Sequence, residues 1–193
     1  MNDKLARWNQ LKETCLHCSA CQLADRRTNV VFGEGVLEST VMFVGEGPGE
    51  QEDLQGRPFV GPAGQLLDRM MAAIGLSREE NAMICNIVKC RPPGNRTPNP
   101  EEGDKCLSFL RAQVDIVRPR IIVCLGATAV RHIFGPEARI TRVRGQWLDR
   151  KGFWITATYH PAALLRDPSR KSEAWADMKA IKSKLAKMGS GLS

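Results

Sequence analysis

Unbroken apolar runs alternate along this chain with segments whose apolar positions recur every three or four residues. The runs TVMFVG (40–45), AMICNIV (82–88) and IIVCLG (121–126) read as strands buried on both faces. Between the first two, Leu66, Leu67, Met70, Met71 and Ile74 keep helical spacing from Gly64 and stop at Gly75. Between the second and third, Pro100, Glu101 and Glu102 open a helix with Cys106, Leu107, Leu110, Val114 and Val117 on its apolar side, closed by Pro119. Ahead of all three, Leu5, Trp8 and Leu11 mark a short amphipathic segment that packs on the main body.

Beyond the third run, ATAVRHIFG (127–135) predicts a short helix, and VRGQWL (143–148) and FWITATY (153–159) predict two more strands, the second ending at His160. A last helix is expected over 167–188, with Trp175, Met178, Ile181 and Leu185 facing the core. Strands alternating with helices predict a doubly wound, mainly parallel α/β sheet, whose ligands bind beyond the carboxyl ends of the strands. Three loops lie there: GEGPGEQED after the first strand, the stretch containing Asn86 after the second, and HPAALLR after the last.

The 193 residues suit one α/β core, so a single domain is expected over 1–193, with an N-terminal segment 1–30 and a flexible tail at 188–193. No stretch approaches the ~20 apolar residues of a membrane span. The start, MNDKLARWNQLKETC, lacks the apolar core of a secretory signal, which predicts a soluble, monomeric protein of the reducing cytoplasm. Lysine and arginine number 28 against 21 acidic residues, a net charge of +7. That balance favours a polyanionic partner, nucleic acid first, although a merely solvated basic surface also fits.

The cysteines sharpen this picture. Cys18 and Cys21 form a CxxC pair, and Cys90 and Cys106 lie far downstream around CRPPGNRTPNPEE. Four soft ligands from separate segments suit a tetrahedral zinc site or an iron-sulfur cluster, and either would clamp the loop between the second pair. Without a secretory signal, disulfides are disfavoured. Cys85 and Cys124 sit in apolar runs as small core residues. Cys15 is ambiguous, because CLHCSAC holds two overlapping CxxC pairs.

The glycine-rich loop is no dinucleotide fingerprint: Glu50 stands where the third glycine would be, Pro48 interrupts the turn, and Glu46, Glu50, Glu52 and Asp53 would repel a pyrophosphate. Its glycines instead allow close backbone approach to a ligand; a tight turn with solvated carboxylates is the plainer reading. His160, at a strand end before a proline, is a better chemical candidate than His17 beside the cysteines or His132 within a predicted helix.

Taken together and in order, CxxC, GEGPGEQED, GRPFVGPAGQLLDR, NIVKCRPPGNRTPNPEE and YHPAALLRDPSR resemble the family 4 uracil-DNA glycosylases, from about Cys18 to Arg170. The resemblance implies a three-layer α/β/α sandwich around a four-stranded, mainly parallel sheet, a 4Fe-4S cluster, and hydrolytic excision of uracil from DNA. Cys18, Cys21, Cys90 and Cys106 match the cluster ligands, leaving Cys15 spare. Asn86 matches the uracil-reading asparagine, Phe59 the aromatic on which the flipped base stacks, and His160 the histidine that hydrogen-bonds uracil O2. Backbone donors near Glu46 and Gly47 would assist. Leu164, with Leu165 and Arg166, would fill the gap left in the DNA. The first loop carries Gly47 where better-known relatives place a water-positioning aspartate, so Asn95 is expected to orient the water, with Glu46 supporting the pocket and Glu52 crowding the C5 methyl of thymine. A related branch that attaches covalently to DNA has a basic insertion after NxVK; this chain has none, which favours a freely turning-over hydrolase. A noncatalytic, metal-clamped DNA-binding protein is the main alternative and leaves Asn86, Phe59 and His160 without a joint purpose. An electron-transfer protein fits less well, for want of a flavin motif.

Overall fold

A computed structural model of the chain describes residues 2–150 and 152–189. The three apolar runs form β2 (Val41–Gly45), β3 (Ala82–Asn86) and β4 (Ile121–Leu125), all buried along their length, and 153–159 supplies β6 (Phe153–Thr158). These four strands pair in parallel in the order β3-β2-β4-β6. Two short edge strands, β1 (Glu34–Gly35) and β5 (Leu148–Arg150), pair antiparallel to β3 and β6, so the sheet has six strands in the order β1-β3-β2-β4-β6-β5. The expected parallel core is therefore present, with two antiparallel edges added. They cover part of the outer edges of β3 and β6.

Because successive side chains alternate across a strand, β2 feeds both faces of the sheet. Met42 and Val44 face α1 (Asn2–Leu16), α4 (Pro100–Val117) and α5 (Gly126–Phe134), meeting Trp8, Leu110 and Val130. Val41 and Phe43 face α3 (Pro62–Ala72) and α8 (Lys171–Gly189), meeting Leu67, Met71, Met178 and Ile181. This is the α/β/α sandwich. α4 starts where its sequence says it should: Asn99 and Glu102 form a reciprocal capping box, and Pro100 takes the first turn.

Several local expectations need correction. Residues 143–148 are not one strand: α6 (Ile140–Val143) ends there, Arg144 is tied to Asp177 at 2.9 and 3.1 Å, Gly145 turns with φ +69°, and pairing begins only at Leu148. Trp175 does not face the core; it is 43% exposed, and buried Ala174 occupies the inward position. Leu5 is likewise exposed, while Trp8 packs edge-on against Phe32 at 4.8 Å. Two short helices lie in segments expected to be loops, α2 (Glu50–Gln55) and α7 (Pro161–Arg166). The last helix begins at Lys171 after a 3-10 turn over Pro168–Arg170. Met188 and Gly189 belong to it, and the rest of the expected tail lies outside the described residues. No helix among the described residues is long and apolar enough to cross a membrane.

Candidate active site

The carboxyl ends of β2, β3, β4 and β6 open into a cleft of about 540 Å³ whose lining includes Glu46, Gly47, Phe59, Asn86, Asn95 and His160. A larger hollow of about 720 Å³ lies between α4 and the β5–β6 hairpin. It holds none of the strand-end loops, so the chemistry belongs to the smaller cleft.

Asn86 is the last residue of β3 and 1% exposed, yet neither its amide nitrogen nor its amide oxygen has a hydrogen-bond partner. Buried amides are almost always satisfied, so an orphaned one on a cleft wall marks a place kept for a ligand. Opposite it in register stands Gly45, where a Cβ would lie 2.5 Å from the Asn86 oxygen and 2.7 Å from the Phe59 ring. Only glycine lets the amide and the ring meet there.

Phe59 is 6% exposed and holds a left-handed φ of +54°. Its turn is strapped by buried Arg78, which donates to the Pro58 and Phe59 carbonyls at 2.9 and 3.0 Å and pairs with Asp68 at 2.7 Å. Gly64 lies against the Phe59 carbonyl so closely that no side chain fits. Glu52, expected to crowd a methyl group, accepts from the Val60 and Gly61 N–H groups at 2.9 and 3.0 Å and so caps α3 while still lining the cleft. Sequence reasoning missed Arg78 and Gly64, and it missed this capping role.

His160 caps α7: its Nδ1 accepts from the Ala162 N–H at 3.2 Å. The neutral ring therefore carries its proton on Nε2, a donor. Burial, and then the Arg166 cation, lowers its pKa from 6.5 to about 4 against the opposing charge of Glu52. The ring stacks on Phe59 with centroids 5.4 Å apart, and Gly126, at φ +85°, leaves the room it needs.

The remaining expected residues separate. Glu46 lines the cleft and accepts a hydrogen bond from the buried Thr128 hydroxyl, which the sequence did not reveal. Asn95 sits exposed in a 3-10 turn over Pro93–Asn95, and its oxygen already accepts from Arg91 Nε at 2.7 Å. Leu164 is 1% exposed, packed with Tyr159 and Ala174, so it cannot be the residue that enters DNA without leaving the core. Its neighbour Leu165 is 43% exposed at the end of α7, beside Arg166 on the rim of the cleft.

A third, small recess is lined by Cys18, Cys21, Cys90 and Cys106, with Cys15, Lys89 and Phe109. None of the seven cysteines forms a disulfide. The expected ligand set is thus brought together from the N-terminal segment, the loop after β3 and α4. Among the described residues, no three His, Cys, Asp or Glu side chains are drawn tightly enough to hold a metal ion. The donor set nonetheless fits a soft metal group: sulfur ligands in apolar surroundings, with Arg27 donating to Cys90 sulfur at 3.4 Å and to the Cys18 carbonyl at 2.7 Å. Burial pushes the Cys106 thiol up to about 11 and raises Cys90 as well. His17 is exposed just past the end of α1, bonded back to Glu13, and does not line the recess; His132 bonds the Thr128 carbonyl at 2.9 Å.

The α/β/α layers, with an orphaned amide, a strapped aromatic ring and a neutral histidine at the strand ends, define a protein built to receive a flat polar ring. Residues 32–179 match the family described as the uracil DNA glycosylase superfamily. A type-4 uracil-DNA glycosylase of Thermotoga maritima is 50% identical over 165 residues, covering 83% of this chain and 84% of that protein. Proteins of the same description from Archaeoglobus fulgidus and Sulfurisphaera tokodaii are each 44% identical, over 86% and 90% of this chain and 87% and 82% of their own lengths. The chain belongs to the type-4 family of the uracil DNA glycosylase superfamily.

Proposed function

We propose that this protein, as one domain, flips uracil out of DNA into the strand-end cleft and hydrolyses its N-glycosidic bond, leaving an abasic site. The observation that carries the reading is the unpartnered amide of Asn86. Its nitrogen would donate to uracil O4 and its oxygen accept from N3–H; cytosine presents the reverse pattern at both positions and is refused. Phe59 supplies the stacking surface, and the wall around Gly47 and Glu52 excludes the thymine methyl.

As the C1′–N1 bond breaks, its electron pair moves onto the base, and negative charge grows at O2 while the sugar becomes oxocarbenium-like. A donor held at O2 binds that state more strongly than the starting base. His160 Nε2–H fills this role. A water then adds to C1′ and loses its proton. Glu46, held by Thr128, is the acceptor best placed to orient it, because the Asn95 oxygen is already engaged by Arg91. Asn95→Ala should then leave single-turnover cleavage within a few-fold of the parent, whereas Glu46→Gln should not.

Cys18, Cys21, Cys90 and Cys106 would hold a 4Fe-4S cluster, the group the family resemblance points to. When bound, it supplies a cross-link between the N-terminal segment, the 91–99 loop and α4, since hydrolysis needs no electron. Anaerobically purified protein should be brown, with absorbance near ~400 nm, whereas zinc would leave it colourless.

Leu165 is the residue proposed to occupy the gap in a duplex. Leu165→Ala should slow excision from double-stranded DNA about tenfold while sparing single strands, where no stack has to be broken. The founding experiment is alkali cleavage of matched strands carrying uracil, thymine or cytosine: release from uracil alone supports the reading, and binding without cleavage would overturn it in favour of a DNA-binding module.

A further inference from the structure

The largest fully buried polar side chain among the described residues has no part in the reaction as described so far. Lys89 is 1% exposed, and its ammonium donates only to neutral oxygens: the Asn86 backbone carbonyl at 2.9 Å and the Gln113 side chain at 2.7 Å. Gln113 is itself fully buried and anchored to the Phe32 carbonyl at 2.8 Å. No carboxylate among the described residues pairs with the ammonium. An uncompensated buried cation is costly, and a fold retains one only where an anion completes it.

The anion has a place. Lys89 forms part of the wall of the cysteine recess, which Cys106 also lines, and is next to Cys90 in sequence. An iron-sulfur core held by four thiolates carries net negative charge. Within five residues the chain thus places the base-reading amide, a buried ammonium and a cluster ligand. The Asn86 amide has no protein partner of its own, so its aim depends on the backbone that carries it, and Lys89 holds that backbone.

We infer that Lys89 is a positioning residue that links the cysteine centre to base reading: its ammonium compensates the charge of the four-cysteine site and, through the Asn86 carbonyl, fixes the amide that recognises uracil. The inference rests on the glycosylase and cluster readings above. It gives the clamp a consequence at the substrate, since losing the anion frees the ammonium and loosens the Asn86 turn.

The test compares holoprotein of the parent with Lys89→Met, which keeps the length and apolar stem and removes the charge. Iron per chain and its rate of loss to a chelator report on one end of the link; kcat and KM on a uracil-containing single strand report on the other. Both iron retention and kcat should fall, each by ~10–100-fold, as is typical when a partner just outside a metal or reacting centre is removed. KM for the strand should stay within about twofold, because the grip on DNA lies elsewhere; general loosening of the fold would move KM as well. Should Lys89→Met not fold, Gln113→Leu removes the acceptor that fixes the ammonium without touching Asn86 or a cysteine, and should shift the same two readings in the same direction. Unchanged iron retention, or kcat within about twofold of the parent, overturns the inference. A parent that cuts no uracil strand, or carries no absorbance near ~400 nm, instead overturns the reading beneath it, and the inference falls with that reading.

Discussion

Asn86→Ala is expected to lower single-turnover uracil excision by about a thousandfold while leaving thermal stability unchanged or slightly raised. The kinetic loss follows from leaving uracil O4 and N3–H unpaired in a closed cleft, at roughly 2 kcal/mol for each group. The stability expectation has the opposite sign for a structural reason. A buried asparagine normally carries hydrogen bonds that its removal destroys, but this one has none to lose. Its desolvation is a standing cost of the free protein, repaid only when a base enters. The comparison to make is the excision rate and melting temperature of the variant beside those of Asn81→Ala. Asn81 caps its turn by accepting from Ser77 N–H at 2.9 Å and donating to the Gly75 carbonyl at 3.1 Å, so its loss should destabilise without touching the cleft. If Asn86→Ala melts well below the parent, the amide is structural and the base-reading role fails.

What the sequence disclosed, and what it withheld, divides along the range of the interactions involved. Strands β2, β3 and β4 were legible because burial on both faces leaves unbroken apolar runs, and His160 because it directly follows the last strand run; the second run continues past Asn86 to Val88, so the end of β3 at Asn86 was not. β1, two residues long, has no periodicity to read. The helix α7 spans one and a half turns, too short to show which of Leu164 and Leu165 turns inward; packing against Tyr159 and Ala174 decides that. The supports of the site are long-range: Arg78 reaches the Phe59 turn across 19 positions, Thr128 reaches Glu46 across 82, and Gln113 reaches Phe32 across 81. None leaves a local signature, so the chemistry of the cleft could be named from its loops while the contacts that hold those loops could not. Trp175 shows the same limit in reverse. Its spacing suited the apolar face of α8, but buried Asp177, bonded to Thr158 and Arg144, fixes the rotation of the helix and leaves the ring at the surface.

His160→Ala should lower excision by ~10²–10³, the usual cost of removing one donor aimed at a developing oxyanion, and the loss should be nearly uniform from pH 5 to 8. The uniformity is the informative part. A histidine at its ordinary pKa would change charge inside that window, but burial holds this one neutral down to about 4. Protonation would place a proton on Nδ1, facing the Ala162 N–H that it now accepts from, and two opposed donors would turn the ring out of position. Parental activity should therefore show no acid limb from this group until the pH nears 4. Stability carries the matching signature. The folded pKa lies below the unfolded value of 6.5, so the unfolded chain takes up the proton first; the contribution of His160 to stability is whole above pH 6.5 and is lost as the pH falls toward 4. Arg166→Gln removes the smaller of the two causes of the shift and should raise the acid limb only slightly, because burial remains. A parental rate that halves as the pH rises through about 6.5, with that midpoint abolished in His160→Ala, would mean that the ring titrates normally and acts as a charged donor, and the neutral-donor mechanism would have to be given up.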